Sequence, residues 1–217
     1  MIFIKKSNEP PRLTDWKKRF PNGKYEDLST CVRIELRNSL LVEQGFVCCF
    51  CGAAIGKKGT GTIIQQTLLK KGQQHNIRNA HLTPQSKDPL NTLSYENICA
   101  SCASTDGERH CDIAQGDQSL PISPLEEDCL SFFSFSVDGK ILPNFENTPE
   151  NQKKASDTIE LLGLQAKTLN VERKKILEIT ENLLKIDPDC LINLEKKDSN
   201  GRYAPYYFVP LSFYKNN

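Results

Sequence analysis

Apolar residues recur at helical spacing in the segment 28–45, "LSTCVRIELRNSLLVEQG". Three leucines of this segment fall on one face of such a helix, and Gly45 is a suitable C-terminal stop: Leu36, Leu40 and Leu41. The preceding segment, 1–28, contains three prolines and predicts an irregular stretch that wraps the core. The pattern therefore predicts one amphipathic helix near the start of the chain.

The C-terminal half has a different pattern. The alternating segment 132–144, "FFSFSVDGKILPN", turns at an Asp-Gly pair and predicts a β-hairpin. Asp157 and Glu160 have the spacing of a capping box for a short helix that stops at Gly163. A longer helix is predicted over about 166–186, and the terminal aromatic stretch "GRYAPYYFVPLSFY" is expected to be extended.

Between these halves, the segment 46–117 is dominated by loops and has few apolar residues to bury. A bound metal would supply the stability that such a segment lacks. We therefore expect an α+β chain in three parts. These are an N-terminal extension and helix (1–45), a metal-stapled core (46–144) and a helical C-terminal region (145–217) that docks a partner.

The cysteines point to a metal because of the expected compartment. No run approaches the ~18 apolar residues of a membrane span, and the first residues do not resemble a secretory signal, so a cytoplasmic protein is expected. Nine cysteines in a reducing compartment favour metal binding over disulfides. Three of them suit a role as small buried apolar residues instead: Cys31, Cys129 and Cys190.

Cys48 and Cys51 form a C-x-x-C knuckle, in which two thiolates of one tight turn face one ion. A tetrahedral zinc needs two further ligands. The spacing leaves two choices open, either Cys99 with Cys102 or Cys102 with Cys111. Cys49, between the knuckle cysteines, is expected to face away from the ion.

A basic stretch follows the knuckle, although the net charge of the whole chain is only +1. No acidic residue occurs from Ala53 to Lys87. Such a one-sided stretch attracts phosphate, so it predicts a nucleic-acid contact. Its cations are Lys57, Lys58, Lys70, Lys71, Arg78 and Lys87.

Two of the three histidines lie among the cysteine pairs, in "NAHLTPQSKDP" and "RHCDIAQGD", with Asn97 between them in "LSYENICASC". With "LLVEQGFVCCFCG" before them and "VDGKILPN" and "TIELLGLQAKTLNVERKKI" after them, these segments resemble HNH endonucleases. The likeness is greatest to the PtuB-type HNH subunit of Septu and retron anti-phage systems. It extends over roughly residues 36–177.

The resemblance implies a ββα-metal core and a metal-dependent cleavage of phosphodiester bonds in DNA or RNA. His81 would be the general base, since a neutral imidazole titrates near working pH, and Asn97 would orient it through an amide hydrogen bond. Asp112, with His110 just before it, would hold a catalytic Mg²⁺ or Mn²⁺. The family pattern also implies zinc ligands, with Cys99 in reserve: Cys48, Cys51, Cys102 and Cys111.

The partners implied by the resemblance are an ATPase subunit of the PtuA-like type and, in retron systems, a reverse transcriptase with its RNA–DNA product. No membrane is implied. The chain departs from the family at Ala80, where many HNH enzymes carry an acidic metal ligand just before the catalytic histidine. This departure favours a second hypothesis, a zinc-stapled nucleic-acid-binding adaptor whose catalysis is impaired.

Overall fold

The computed structural model describes residues 1–56, 77–104 and 107–215. Its helices are α1 (Pro11–Arg19), α2 (Thr30–Glu43), α3 (Asp112–Gln115), α4 (Pro149–Leu161), α5 (Lys167–Leu184), α6 (Cys190–Leu194) and α7 (Phe208–Lys215). Its strands are β1 (Ile77–His81), β2 (Ile98–Cys102), β3 (Phe133–Phe135) and β4 (Ile141–Pro143). The chain is thus a mixture of helices and two small sheets. Within these ranges, none of the helices has the length and apolar character needed to cross a membrane.

Strands β1 and β2 form an antiparallel pair that carries the candidate site. Ile77 lies opposite Cys102, and His81 lies opposite Ile98. Strand β2 is buried along its whole length. The long connection 82–97 leaves β1 directly after His81, and the short helix α3 packs against β1. The pairing therefore places the end of β1, the start of the connection and α3 beside one another.

Helix α2 confirms the first pattern in the sequence. Its three predicted leucines are fully buried, and the helix packs against β2. An ion pair of 2.8 Å joins Glu43, near the end of α2, to Lys6, and the same lysine donates to the carbonyl of Ile98. Because both charged side chains are almost completely buried, this pair fastens the N-terminal segment to the helix and to β2.

The predicted β-hairpin is also confirmed, with β3 paired antiparallel to β4. Gly139 in its turn has a φ of +81°, a conformation that glycine adopts without steric cost. A Cβ at this position would lie 2.2 Å from the backbone oxygen of Asn170 in α5. The hairpin turn therefore packs directly on α5, and only glycine fits there.

Three local predictions were wrong. Helix α1 replaces part of the expected irregular N-terminal stretch, because a proline at the first helical position already has the required φ and needs no amide hydrogen bond. Helix α4 begins at Pro149, with the Thr148 hydroxyl accepting from the amide of Asn151. The expected capping box at Asp157 therefore lies inside α4. Helix α7 forms where an extended aromatic tail was predicted.

The C-terminal region packs closely against the cysteine-rich segment. The amide of Cys111 donates to the carbonyl of Leu162 over 2.8 Å, and the amide of Tyr206 donates to the carbonyl of Gly52 over 2.9 Å. One hydrophobic core runs through the described residues, from the N-terminal segment to Val209. The division into three parts at residues 45 and 144 stays a prediction.

Candidate functional site

Four buried thiols meet at one point in the fold. The Sγ atoms of Cys48, Cys51, Cys102 and Cys111 all lie within 4.8 Å of one another. Two of the separations are 3.8 Å, between Cys48 and Cys111, and 3.7 Å, between Cys51 and Cys102. A tetrahedral zinc with Zn–S bonds of about 2.3 Å requires sulfur separations of about 3.8 Å. The four thiols therefore fit a zinc ion.

The turn that carries Cys48 and Cys51 has the geometry of a metal knuckle. The amide of Gly52 donates to the carbonyl of Cys48 over 3.0 Å, and the amide of Ala53 donates to the Sγ of Cys51 over 3.4 Å. Gly52 has a φ of +80°, and a Cβ there would meet the Phe208 ring at 2.3 Å. The tight turn thus depends on glycine, and an aromatic ring of α7 covers it.

Without a cation, the four thiols cannot all ionise in this buried position. Burial opposes ionisation of Cys48, but hydrogen bonds from Cys102 and Cys111 hold the pKa of its thiol well below the ordinary value. Burial, together with the same hydrogen bonds, raises the pKa of Cys111 well above it. Without a bound cation, the cluster therefore favours ionisation of Cys48 and keeps Cys111 protonated. A divalent cation would deprotonate the remaining thiols, as zinc does in its protein sites.

The reserve ligand, Cys99, lies outside the four-thiol group. Its thiol instead interacts with that of Cys49, the residue between the knuckle cysteines. Strand side chains alternate between faces, so two residues three apart in β2 face opposite sides. Cys99 and Cys102 therefore cannot both face the same ion, despite their C-x-x-C spacing.

His110 lies against the thiols. Its Nδ1 atom is 3.3 Å from the Sγ of Cys111 and 3.6 Å from the Sγ of Cys102, and the residue is buried. Its backbone amide donates to the Ser104 hydroxyl, which in turn donates to the His110 carbonyl. These contacts hold the imidazole at the cysteine cluster, where a ring N–H can donate to a thiolate.

Arg173 of α5 brings a buried positive charge to the same region. Its side chain is 1% exposed, and Nη1 donates to the Leu164 carbonyl and the Asn170 Oδ1. Its Nε atom has no hydrogen-bond partner among the described residues. Burial lowers the pKa of Arg173, and the nearby charge of Cys51 opposes that change. Four thiolates and one zinc carry two net negative charges, and this cation would offset one of them.

His81 occupies the last position of β1. Its Nε2 atom is 3.0 Å from the Thr92 carbonyl oxygen, and its Nδ1 atom is 3.4 Å from the Gln85 amide nitrogen. The ring packs edge-on against Tyr25, with 4.8 Å between ring centroids. Burial lowers the pKa of His81, and the Thr92 carbonyl and the Asp112 charge partly oppose this. The imidazole is therefore held neutral at working pH.

Asn97 fixes the loop that follows His81. Its Oδ1 accepts from the Thr83 amide over 2.7 Å, and its Nδ2 donates to the Thr83 carbonyl over 3.0 Å. The Leu82 amide donates to the backbone carbonyl of Asn97 over 2.9 Å. The amide hydrogen bond to His81 that the sequence led us to expect is replaced by these bonds. The bond to the Leu82 amide thus links Asn97 to the residue that directly follows His81.

Asp112 is the first residue of α3, which packs against strand β1. Its carboxylate forms an ion pair with Arg78 of β1, and its backbone amide lies 3.4 Å from the Ser101 hydroxyl. The preceding Cys111 has a φ of +57°, a conformation that turns the chain sharply into α3. The charge of Asp112 is close enough to His81 to act on the pKa of the imidazole. The structure therefore brings His81, Asn97 and Asp112 to one region, with His110 on the thiol side.

Ala80 is fully buried, and it pairs with Cys99 of β2. Asn79 points to the other face of β1 from Ala80, which is the face that also carries His81. Its Nδ2 donates to the Tyr25 hydroxyl over 2.8 Å, and its Oδ1 lies 3.5 Å from Nε of Arg37. Asn79 therefore belongs to the contacts around His81 and does not replace the missing carboxylate at position 80.

Gln115 of α3 was missed by sequence reasoning. It is buried, and its Nε2 donates to the carbonyls of His81, Leu82 and Gln118 at 3.1–3.2 Å. These bonds tie α3 to the end of β1. A glutamine in a four-residue helix has no sequence signal that distinguishes it from a solvent-facing residue.

The predicted nucleic-acid contacts are only partly described. Arg78 is half-exposed and bound to Asp112, and the Nζ of Lys87 lies 3.3 Å from the Ser119 hydroxyl. The other four lysines of the basic stretch lie outside the described residues: Lys57, Lys58, Lys70 and Lys71.

Comparison with known proteins gives one informative likeness. No protein-family profile matches the chain. A protein named "Retron Vc95 putative HNH endonuclease" from Vibrio cholerae serotype O1 biovar El Tor is 28% identical over 195 residues, which cover 85% of this chain and 86% of that protein. Because the match covers 85% of this chain, it includes most of the candidate site. The likeness supports a relation between this chain and the HNH endonucleases.

Proposed function

We propose that the chain is a metal-dependent HNH endonuclease that hydrolyses phosphodiester bonds of nucleic acid. The observation that carries the proposal is the placement of a neutral histidine, His81, at the end of strand β1, where the charge of Asp112 acts on its imidazole. Strands β1 and β2 and helix α3 are proposed to form the ββα-metal core. The similarity to a protein named as a retron HNH endonuclease supports the same reaction class.

In this proposal, His81 acts as the general base. The Thr92 carbonyl can only accept, so the ring proton sits on Nε2 and the lone pair sits on Nδ1. Nδ1 would take the proton of a water that attacks phosphorus in line. Asn97 keeps the loop after His81 in place, and Gln115 holds the His81 carbonyl from the other side.

Asp112 would hold the catalytic Mg²⁺ or Mn²⁺, because hard cations prefer carboxylate oxygens. When bound, such a cation neutralises charge that develops on the phosphate oxygens. In this proposal the cation displaces Arg78 from the Asp112 carboxylate. Arg78 would then be free to reach a phosphate, as would Lys87 and the lysines of the basic stretch.

The four-cysteine cluster is proposed as a structural zinc site, with His110 as a hydrogen-bond partner of the thiolates and not as a base. The cluster joins the knuckle, the end of β2 and the residue before Asp112. Zinc there would fix both ends of the segment that carries His81, Asn97 and Asp112. Metal binding would thus supply folding free energy to a loop-rich segment.

We further propose that the chain is the effector subunit of a Septu- or retron-type anti-phage complex, in the cytoplasm. An ATPase subunit would regulate it, and in a retron version a reverse transcriptase with its RNA–DNA product would be present. The region 145–217 would dock such a partner. Three apolar side chains of α5 and its C-terminal turn are 45–82% exposed: Ile179, Leu183 and Ile186.

The second candidate function is a zinc-stapled adaptor that binds nucleic acid without cutting it. Ala80 favours it, because the chain lacks the carboxylate that many HNH enzymes place before the catalytic histidine, and because Ala80 is fully buried. With one carboxylate fewer, the affinity for the catalytic cation falls. The neutral His81 and the nearby Asp112 favour the nuclease.

A cleavage assay separates the two functions. The purified chain, alone and with a neighbouring ATPase, is incubated with duplex DNA, single-stranded DNA and tRNA in Mg²⁺ or Mn²⁺. Cleavage is expected, and His81→Ala is expected to reduce it at least about 100-fold with zinc content and thermal stability retained. Equal cleavage by His81→Ala would refute the role of His81. Binding without cleavage under every condition would favour the adaptor.

A further inference from the structure

A guanidinium linked to His81 through Asn79 and Tyr25 has no carboxylate partner among the described residues. Among the described residues, the only hydrogen bond of Arg37 runs from its Nε to the Asn79 Oδ1 at 3.5 Å, and no carboxylate lies within 4.0 Å of it. The other arginines of this region differ. Arg78 pairs with Asp112, and Arg33 donates to three backbone carbonyls: those of Tyr25, Glu26 and Leu28.

This charge is expensive to keep in its present place. Arg37 is half-buried on α2, where burial lowers the pKa of its guanidinium; Tyr25 opposes this change and the Arg33 charge adds to it. A cation that has lost part of its hydration without gaining an anion is destabilising. An incoming anion with two oxygens would restore that loss, since a guanidinium binds phosphate through parallel N–H groups.

Tyr25 offers a second donor at the same place. Its hydroxyl oxygen accepts from the Asn79 Nδ2 over 2.8 Å, so its own proton is available to donate. No acceptor for that proton is present among the described residues. The Tyr25 ring also contacts the His81 ring edge-on. A chain of contacts therefore runs from Arg37 through Asn79 and Tyr25 to His81.

We propose that Arg37 and Tyr25 form a phosphate clamp that holds a non-bridging oxygen of the phosphodiester next to His81. The clamp rests on the nuclease function proposed above and names how that site takes its substrate. It binds the phosphate group common to DNA and RNA.

The test is an equilibrium binding measurement without added Mg²⁺ or Mn²⁺, so that nothing is cut. Fluorescent duplex DNA, single-stranded DNA and RNA are titrated with the zinc-loaded full chain and its variants at several salt concentrations. Arg37→Gln is expected to raise Kd about 10- to 100-fold, the value of a charge-assisted hydrogen bond. The slope of log Kd against log salt should become shallower by about one unit, because one phosphate contact is lost.

Two further variants keep the result specific. Tyr25→Phe removes only the hydroxyl and is expected to raise Kd a few-fold, with the ring contact to His81 kept. Lys154→Gln removes the same charge from the exposed face of α4, where Lys154 pairs with Glu150 at 3.1 Å, and is expected to change nothing. Thermal unfolding of each variant checks that the fold is intact.

The outcomes separate the clamp from the nuclease. If folded Arg37→Gln and Tyr25→Phe bind as tightly as the parent, or if the parent binds no nucleic acid, the clamp is refuted. If Arg37→Gln binds weakly but the parent never cleaves, the clamp stands and the nuclease fails. If the parent cleaves and Arg37→Gln cleaves equally well at low substrate, the nuclease stands and the clamp fails.

Discussion

The Nε2 atom of His81 lies 3.0 Å from the carbonyl oxygen of Thr92, and this contact determines which ring nitrogen carries the proton. A carbonyl accepts and never donates, so Nε2 is protonated and Nδ1 keeps its lone pair. The Gln85 amide nitrogen, 3.4 Å from Nδ1, is a donor and disfavours a second ring proton. The surroundings of His81 thus prepare it as a base.

The pH dependence of cleavage follows from this environment. Burial lowers the pKa of His81 below its ordinary value of about 6.5. Since only the neutral ring accepts a proton, kcat/KM should rise with pH through a midpoint below about 6.5 and level off by neutrality. A pH–rate profile checks this. A midpoint above 7 would contradict the assigned environment.

Gln85→Glu provides the matched test of that midpoint. A carboxylate near Nδ1 favours the charged ring, so the midpoint should move upward by about one pH unit. The zinc content should not change, because Gln85 lies in the connection after β1 and not at the thiols. An unmoved midpoint would show that another group limits the rate.

The assignment of zinc ligands can be checked with two cysteines that are both buried. Cys111→Ser should lose stoichiometric zinc and unfold at lower temperature, because it removes one of four ligands and leaves three thiols without their ion. Cys99→Ser should keep one zinc per chain. Metal analysis and thermal unfolding of both variants decide the matter. Zinc loss in Cys99→Ser alone would reverse the assignment.

Gln115 should be a positioning residue for His81. In Gln115→Met the carbonyls of His81 and Leu82 lose a shared donor, so the free energy of unfolding should fall by about 1–3 kcal/mol. We expect kcat to fall about 10-fold with KM and zinc content unchanged, since the base shifts and the phosphate contacts remain. Gln118→Ala, an exposed neighbour, is the control. Equal kcat in both variants would refute the role.

Arg173 should raise the affinity of the thiol cluster for zinc. Arg173→Met removes a buried cation that interacts with the charges of Cys51 and Cys111, so the two net negative charges of a four-thiolate zinc site are less well balanced. Zinc affinity, measured by competition with a chelating dye, should fall about 10-fold, which corresponds to about 1.4 kcal/mol. Lys174→Met removes an exposed charge from the next position of α5 as a control. Equal affinities in both variants would count against charge balance.

Local patterns in the sequence were sufficient for the elements with strong periodicity or turn chemistry. Helix α2 and the β3–β4 hairpin formed where their leucines and their Asp-Gly turn predicted them. Helix α1 was missed because its two opening prolines were taken as breakers, although proline is favoured in the first turn. The Asp157–Glu160 pair has the right spacing for a cap but lies within a longer helix that Thr148 begins.

In the candidate site, too, local spacing predicted some residues, whereas others depend on the tertiary structure. The knuckle spacing of Cys48 and Cys51 is local, and so it could be read directly. Whether Cys99 or Cys111 completes the cluster depends on β2 being a strand, because strand alternation turns Cys99 away. Arg37 and Tyr25 are linked to His81 only because α2 and the N-terminal segment pack against β1. No spacing in the sequence predicts that these residues lie near His81.

The contacts between the tail and the cysteine loops also set an order of events during synthesis. The Cys111 amide needs the carbonyl of Leu162, and the knuckle at Gly52 is covered by Phe208. A nascent chain that has not yet delivered those residues from the ribosome holds His81 and Asp112 on an unfinished scaffold. The completed site therefore forms only after Phe208 has left the ribosome, much later than the residues of the site itself.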